Sequence, residues 1–223
     1  MSSTALALSN DKLPKHIAGD ANRGNEDVGR NVEIPRLKLL QKMSDELDKN
    51  SPNFEKDANE GDFFNTLTKE IYGPELYCIN ILFKNRTVVW KDRTKGQGGG
   101  KLGTYDTEAL AAEAIEATGM PQLWIPTDTD EHLLIIKNKD TGALEASPVI
   151  YDMASTKKSV SRNWNTQIGM KPGDRFAGLW KLSSFSAVAK SGTPFSGMKV
   201  AFEGWTHEED YKTAEDIFTK YSN

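Results

Sequence analysis

The sequence predicts a mainly β domain with one or two helices, arranged as an OB-like Greek-key barrel or, alternatively, as an open α+β sheet. Three observations carry that expectation. Many short runs rich in β-branched and aromatic residues are set off by turns containing glycine or proline. Residues 107–118 alone carry full helix punctuation. Residues 175–188 and 195–205 form a long two-strand pattern around a turn-rich loop, residues 189–194.

The chain has 223 residues, enough for one sizeable core. Its hydrophobic fraction of 37% is low for that length, so part of it is expected to stay unpacked. Residues 1–33 are rich in Ser, Asn, Asp and Gly, with Leu6, Leu8 and Leu13 scattered off any helical period, and read as a disordered arm. Residues 34–205 read as one domain and residues 206–223 as an acidic C-terminal helix or tail.

The ordered part opens at Ile34, which Pro35 biases to an extended conformation. Arg36 and Lys38 alternate with Leu37 and Leu39, the period of a half-buried strand. Residues 44–62 are acidic, are broken by Pro52 and Gly61, and read as a loop. Residues 63–68 and 70–72 flank a tight turn, and residues 76–90 follow as one or two strands. Gly96 to Gly100 form a flexible loop. In the helix at 107–118, Thr107 is the cap and Gly119-Met120-Pro121 the stop. Residues 132–137 and 146–151 read as strands joined by the turn at 139–142. A short helix is expected over 154–168, then the hairpin, then a polar helix over 208–221. Trp124, Trp180 and Trp205 lie in apolar strand-like runs and read as core.

Composition excludes several classes. A net charge of −4 argues against coating duplex DNA through bulk charge, and leaves room for a local basic groove. The single cysteine, Cys78, sits in an apolar run, so no intramolecular disulfide and no multi-cysteine zinc site can form. No run approaches the roughly 18 apolar residues of a membrane span, and the first residues do not make a secretory signal. A soluble protein of a reducing cytoplasm, with no membrane partner, is the expectation. His16, His132 and His207 are isolated and lack metal spacing, and no serine sits in a nucleophile elbow. The glycine run before Lys101 is not a phosphate-binding P-loop, because Leu102 follows where Ser or Thr is needed. No enzyme activity, metal or cofactor is expected.

Two segments combine cations with aromatic rings. Residues 83–101 hold Phe83, Lys84, Arg86, Trp90, Lys91, Arg93, Lys95 and Lys101 against Asp92. Residues 154–175 hold Lys157, Lys158, Arg162, Trp164, Lys171 and Arg175 against Asp174. Single-stranded nucleic acid needs cations for its backbone and flat faces for its bases. On this reading Trp90 and Trp164 stack bases, and Lys91, Arg93, Lys101, Lys157, Lys158, Arg162 and Lys171 hold phosphates. Tyr105 and Phe185 are further stacking candidates.

Trp164-Asn165-Thr166, followed by Gly169 and the hairpin from Arg175, resembles the single-stranded DNA-binding proteins of T7-like phages. That resemblance implies an OB fold, single-stranded DNA binding and strand annealing in replication and recombination. It also implies contact of an acidic C-terminal tail with replication partners, and leaves self-association open. The chain departs from the pattern at its end, which carries Lys212 and Lys220 and closes Tyr221-Ser222-Asn223. The alternative expectation is a phage protein-interaction factor that binds or inhibits a host enzyme through the arm, the acidic loop and the acidic end.

Overall fold

The structure, a computed structural model, describes residues 33–95, 100–189 and 192–222. Nearly all of the expected arm, most of the glycine run and the tip of the hairpin loop therefore lie outside the described residues. Residues 34–223 make one compact unit.

Nine strands form one sheet: β1 (Arg36–Leu39), β2 (Phe63–Asn65), β3 (Ile71–Gly73), β4 (Glu75–Lys91), β5 (Lys101–Tyr105), β6 (Trp124–Lys137), β7 (Val149–Ala154), β8 (Gly178–Val188) and β9 (Pro194–Trp205). The order across it is β3-β2-β1-β7-β6-β4-β8-β9, with β5 paired to the far end of β4. β1 and β7 are parallel and the other pairs antiparallel. Among the described residues there are also three α-helices: α1 (Glu108–Ala117), α2 (Lys157–Gly169) and α3 (Glu208–Tyr221). The protein is mainly β, and its sheet curls into an open half-barrel. All three helical patterns in the sequence become helices, one more than the fold class anticipates.

Alternation in β4 and β6 shows how the sheet is buried on both faces. Leu76, Cys78, Leu134 and Ile136 point into the concave core with Trp180 and Tyr151. Ile79, Ile81, Leu133 and Ile135 point the other way, against Phe176 and Ala214 of α3. A bulge between Asn80 and Leu82 shifts the β4–β6 register, a device that bends a strand. The long strand pattern at 76–90 is thus a single bent strand. Burial pushes the Cys78 thiol pKa up, as befits a small core residue. α1 covers the distal arm made by β4, β5 and β6, with Ala111 and Ile115 against Val89. Its cap is the expected one: the Thr107 hydroxyl accepts from the Leu110 N–H at 3.2 Å. Among the described residues no helix is long and apolar enough to cross a membrane.

A side chain draws the two sides of the half-barrel together. The Gln41 amide, just past β1, donates to the Ser196 carbonyl at 3.0 Å and accepts from the Ser196 N–H at 3.0 Å. It stands where a neighbouring strand would pair with β9. The Tyr151 hydroxyl donates to Met198 Sδ across the same gap, at 2.9 Å. Gly61, at φ 90°, presses on β8, where an added Cβ would lie 3.2 Å from Ser184 Oγ.

Replacing Gln41 with Ala removes both partners of the Ser196 backbone. The expected loss of unfolding free energy is roughly 1–3 kcal/mol, read by chemical denaturation. A variant as stable as the parent would show that the amide bridge does not hold the gap.

Candidate nucleic-acid interface

The basic stretch at 157–166 is a helix, and helical spacing splits it into two faces. Ser161 and Trp164 are buried, with Val160 and Ile168 packed beside them. Arg162, Asn163 and Thr166 are exposed.

The inward face is locked by a buried polar chain. The Trp164 ring stacks on His132, centroids 4.9 Å apart and planes 15° off parallel. His132 Nε2 lies 2.8 Å from Ser161 Oγ, and Nδ1 lies 2.9 Å from Asn80 Nδ2. Arg175 donates to Asn80 Oδ1 at 3.3 Å, which orients that amide with its nitrogen toward the ring. Nδ1 therefore accepts, Nε2 carries the proton, and the imidazole is neutral. Burial, reinforced by the Arg175 charge, holds its pKa down to about 3. Arg175 also donates to Asn165 Oδ1 at 3.0 Å, so the chain returns to α2.

This corrects the expectation for Trp164. Its ring lies wholly inside the core and offers no face to a base. Lys157 is likewise turned inward: its ammonium donates to the Asp152 carbonyl at 3.0 Å and lies 4.9 Å from the Tyr151 ring. Lys158 is paired with Asp128 and Asp130, which Asn85 also holds. Lys171 lies over the Phe202 ring at 3.7 Å. Tyr105 is half-buried, packed with α1 and Val89. Phe185 is exposed on the β8–β9 hairpin, its ring against Gly197. Trp205, expected in the core, is 53% exposed, whereas Trp180 is buried as expected.

The distal arm places the other candidates. Lys91 is half-buried opposite Trp124, and the Arg93 side chain lies outside the described residues. Lys101, Trp90 and Ile125 form one row across β5, β4 and β6. Trp90 is 45% exposed. By strand alternation it points to the face of β4 opposite Phe83.

One concavity joins the two basic-aromatic segments. It has a volume of about 460 Å³ and is lined by Phe83, Asp130, Lys158, Arg162, Asn165 and Thr166. Phe83 sits between the His132 ring at 5.1 Å and the Arg175 guanidinium at 5.4 Å. Arg162 is exposed and forms no ion pair among the described residues. The first turn of α2 carries no carboxylate and no side-chain cap, which favours negative charge there. Reading the segments by composition missed the roles of Phe83, Asn80 and His132. The Val160–Trp164–Ile168 stripe was the available signal that Trp164 faces inward.

A family model described as Pam3 phage gp34-like protein matches residues 6–223, so the chain belongs to that family of phage proteins. No curated protein and no solved structure matches.

Trp164→Ala is expected to cost about 3–5 kcal/mol of stability, as large core truncations do, read by denaturant unfolding. His132 gives a second expectation. Its pKa is about 3 in the fold against 6.5 in a free chain. Between those values the unfolded chain binds a proton that the folded chain excludes. Stability is therefore full above about pH 6.5 and falls as pH drops toward 3. An NMR titration showing the His132 ring protonating near pH 6.5 in the folded state would contradict the neutral lock.

Proposed function

We propose that this phage protein binds single-stranded DNA, coating and protecting it during replication or recombination, and performs no chemical step. The observation that supports this reading is the meeting of both basic-aromatic segments at the α2 concavity. Phe83 packs against the His132 ring and the Arg175 guanidinium, and its half-buried ring still lines the concavity, where it offers a surface for a base. Arg162 stands beside it with its charge unspent on any carboxylate, and Asn165 and Thr166 add polar groups. Lys158 reaches a phosphate only by exchanging it for Asp128 or Asp130. The site thus works with few free cations, which fits an acidic chain.

A second reading, a phage factor that binds a protein, is favoured by one observation. Trp90 and Ile125 stay exposed as neighbours on the face that the concavity does not use. On that reading Trp90→Ala abolishes capture of a host protein and leaves oligonucleotide binding unchanged.

The test is fluorescence anisotropy of a labelled oligodeoxythymidine at two salt concentrations. Binding is expected to saturate and to weaken with salt. Phe83→Leu keeps bulk but loses the π face, and is expected to cost about 1–3 kcal/mol of affinity. Arg162→Ala is expected to lower the slope of log affinity against log salt by about 0.7. A flat titration of the parent protein at low salt would remove the DNA-binding reading.

A further inference from the structure

Beyond the concavity, a second aromatic and cationic surface lies at the other end of α2. Lys171, just past the helix, sits 3.7 Å from the Phe202 ring centroid. Phe202 meets Trp205 edge to face at 5.2 Å. Phe202 itself rests edge to face on the buried Trp180 at 5.2 Å. Gly178 makes this packing possible, since an added Cβ would stand 3.0 Å from both Phe202 and Trp180 Nε1. Trp205 is therefore backed by a chain of rings rooted in the core while half of it stays exposed. Such a ring is oriented in advance and loses little freedom on stacking.

The two surfaces are joined along one helix. Lys158, Arg162, Thr166 and Met170 recur every fourth position, so they share a stripe of α2 and its C-cap. Lys158 and Arg162 line the concavity, and Met170 is 81% exposed beside Lys171. At 1.5 Å per residue this stripe runs about 18 Å. The carboxylates nearest in sequence are Glu203, the unpaired residue of the β8–β9 bulge, and Asp174, which accepts from the Tyr211 hydroxyl.

We propose that Trp205, with Lys171, is a second nucleotide-binding platform that receives the same single strand after it leaves the Phe83 concavity along α2. The ligand class is an unpaired nucleotide, its base on the Trp205 face and its phosphate at Lys171. This rests on the single-strand-binding reading of the concavity.

The experiment compares labelled oligodeoxythymidines of about 4 and about 12 nucleotides, within the range one OB-type fold occupies. Trp205→Ala is expected to weaken binding of the longer strand by roughly 5- to 150-fold and to leave the shorter one unchanged. Trp205→Phe, which keeps a ring against Phe202, is expected to recover most of the loss. Lys171→Ala is expected to reduce the salt slope for the longer strand only. Thermal unfolding of each variant separates lost binding from lost fold. If the parent binds both lengths and Trp205→Ala binds the longer strand as the parent does, the second platform is wrong and the concavity stands. If the parent binds neither length, the concavity fails and the platform with it.

Discussion

A single neutral imidazole at the centre of the half-barrel sets the placement of everything around it. His132 is fully buried, and both its nitrogens are paired, to Ser161 and Asn80. A buried polar ring with both partners met avoids the penalty of an orphaned donor, and its neutrality avoids the larger one of a buried charge. Trp164 stacks on it, and Phe83, its partner across the β4–β6 ladder, packs against it at a tilt. The imidazole therefore fixes α2 against β6 and fixes Phe83 of β4 in one step. Arg175 extends the arrangement by bridging Asn80 to Asn165. With the inward face of α2 so determined, helical geometry leaves Arg162 and Thr166 no direction but outward. The surface chemistry of the concavity is thus a consequence of core chemistry.

Local signals in the sequence marked most elements but not their assembly. The cap at Thr107 and the alternation in 36–39 are written in neighbouring residues, and each forms where expected. The parallel pairing of Arg36 and Leu37 with Ile150 and Tyr151 joins segments remote in the chain, and no local pattern encodes it. Nor does one encode the Gln41 bridge to Ser196, since an amide after a strand has no distinctive spacing. The site was legible in part. The composition of residues 157–166 marked a polar surface, and half of that helix is one. The same run read by period puts Ser161 and Trp164 on the buried face with Val160 and Ile168. Composition averages over both faces of a helix, so the indole was assigned to solvent when the stripe assigned it to the core.

Charge bookkeeping explains how an acidic chain could attract a polyanion. Several cations of the sheet and of α2 are already committed: Lys158 to Asp128 and Asp130, Arg36 to Asp152, Arg86 to Asp106. Such pairs create little long-range field, so they neither steer a polyanion nor repel it strongly. What remains is local: Arg162 without a carboxylate, the uncapped start of α2, and Lys171 over an aromatic face. On the proposed single-strand-binding reading, attraction of this kind acts at contact distance, with stacking as the larger share of affinity and a small number of phosphates as the rest.

The position of Trp90 follows from the same sheet. At its level β4 is an interior strand, with β5 on one edge and β6 on the other. A nucleic-acid strand on the Phe83 face cannot pass through that sheet to the Trp90 face. It would have to travel round the end of the arm, past residues 92–95 and the turn at 121–123. The stripe along α2 requires no such detour, since it continues on one surface from Lys158 to Lys171. Of the two exposed indoles, Trp205 therefore lies on the path that the concavity opens, and Trp90 belongs to a separate surface. Lys101 and Ile125, in row with Trp90, lie on that surface as well.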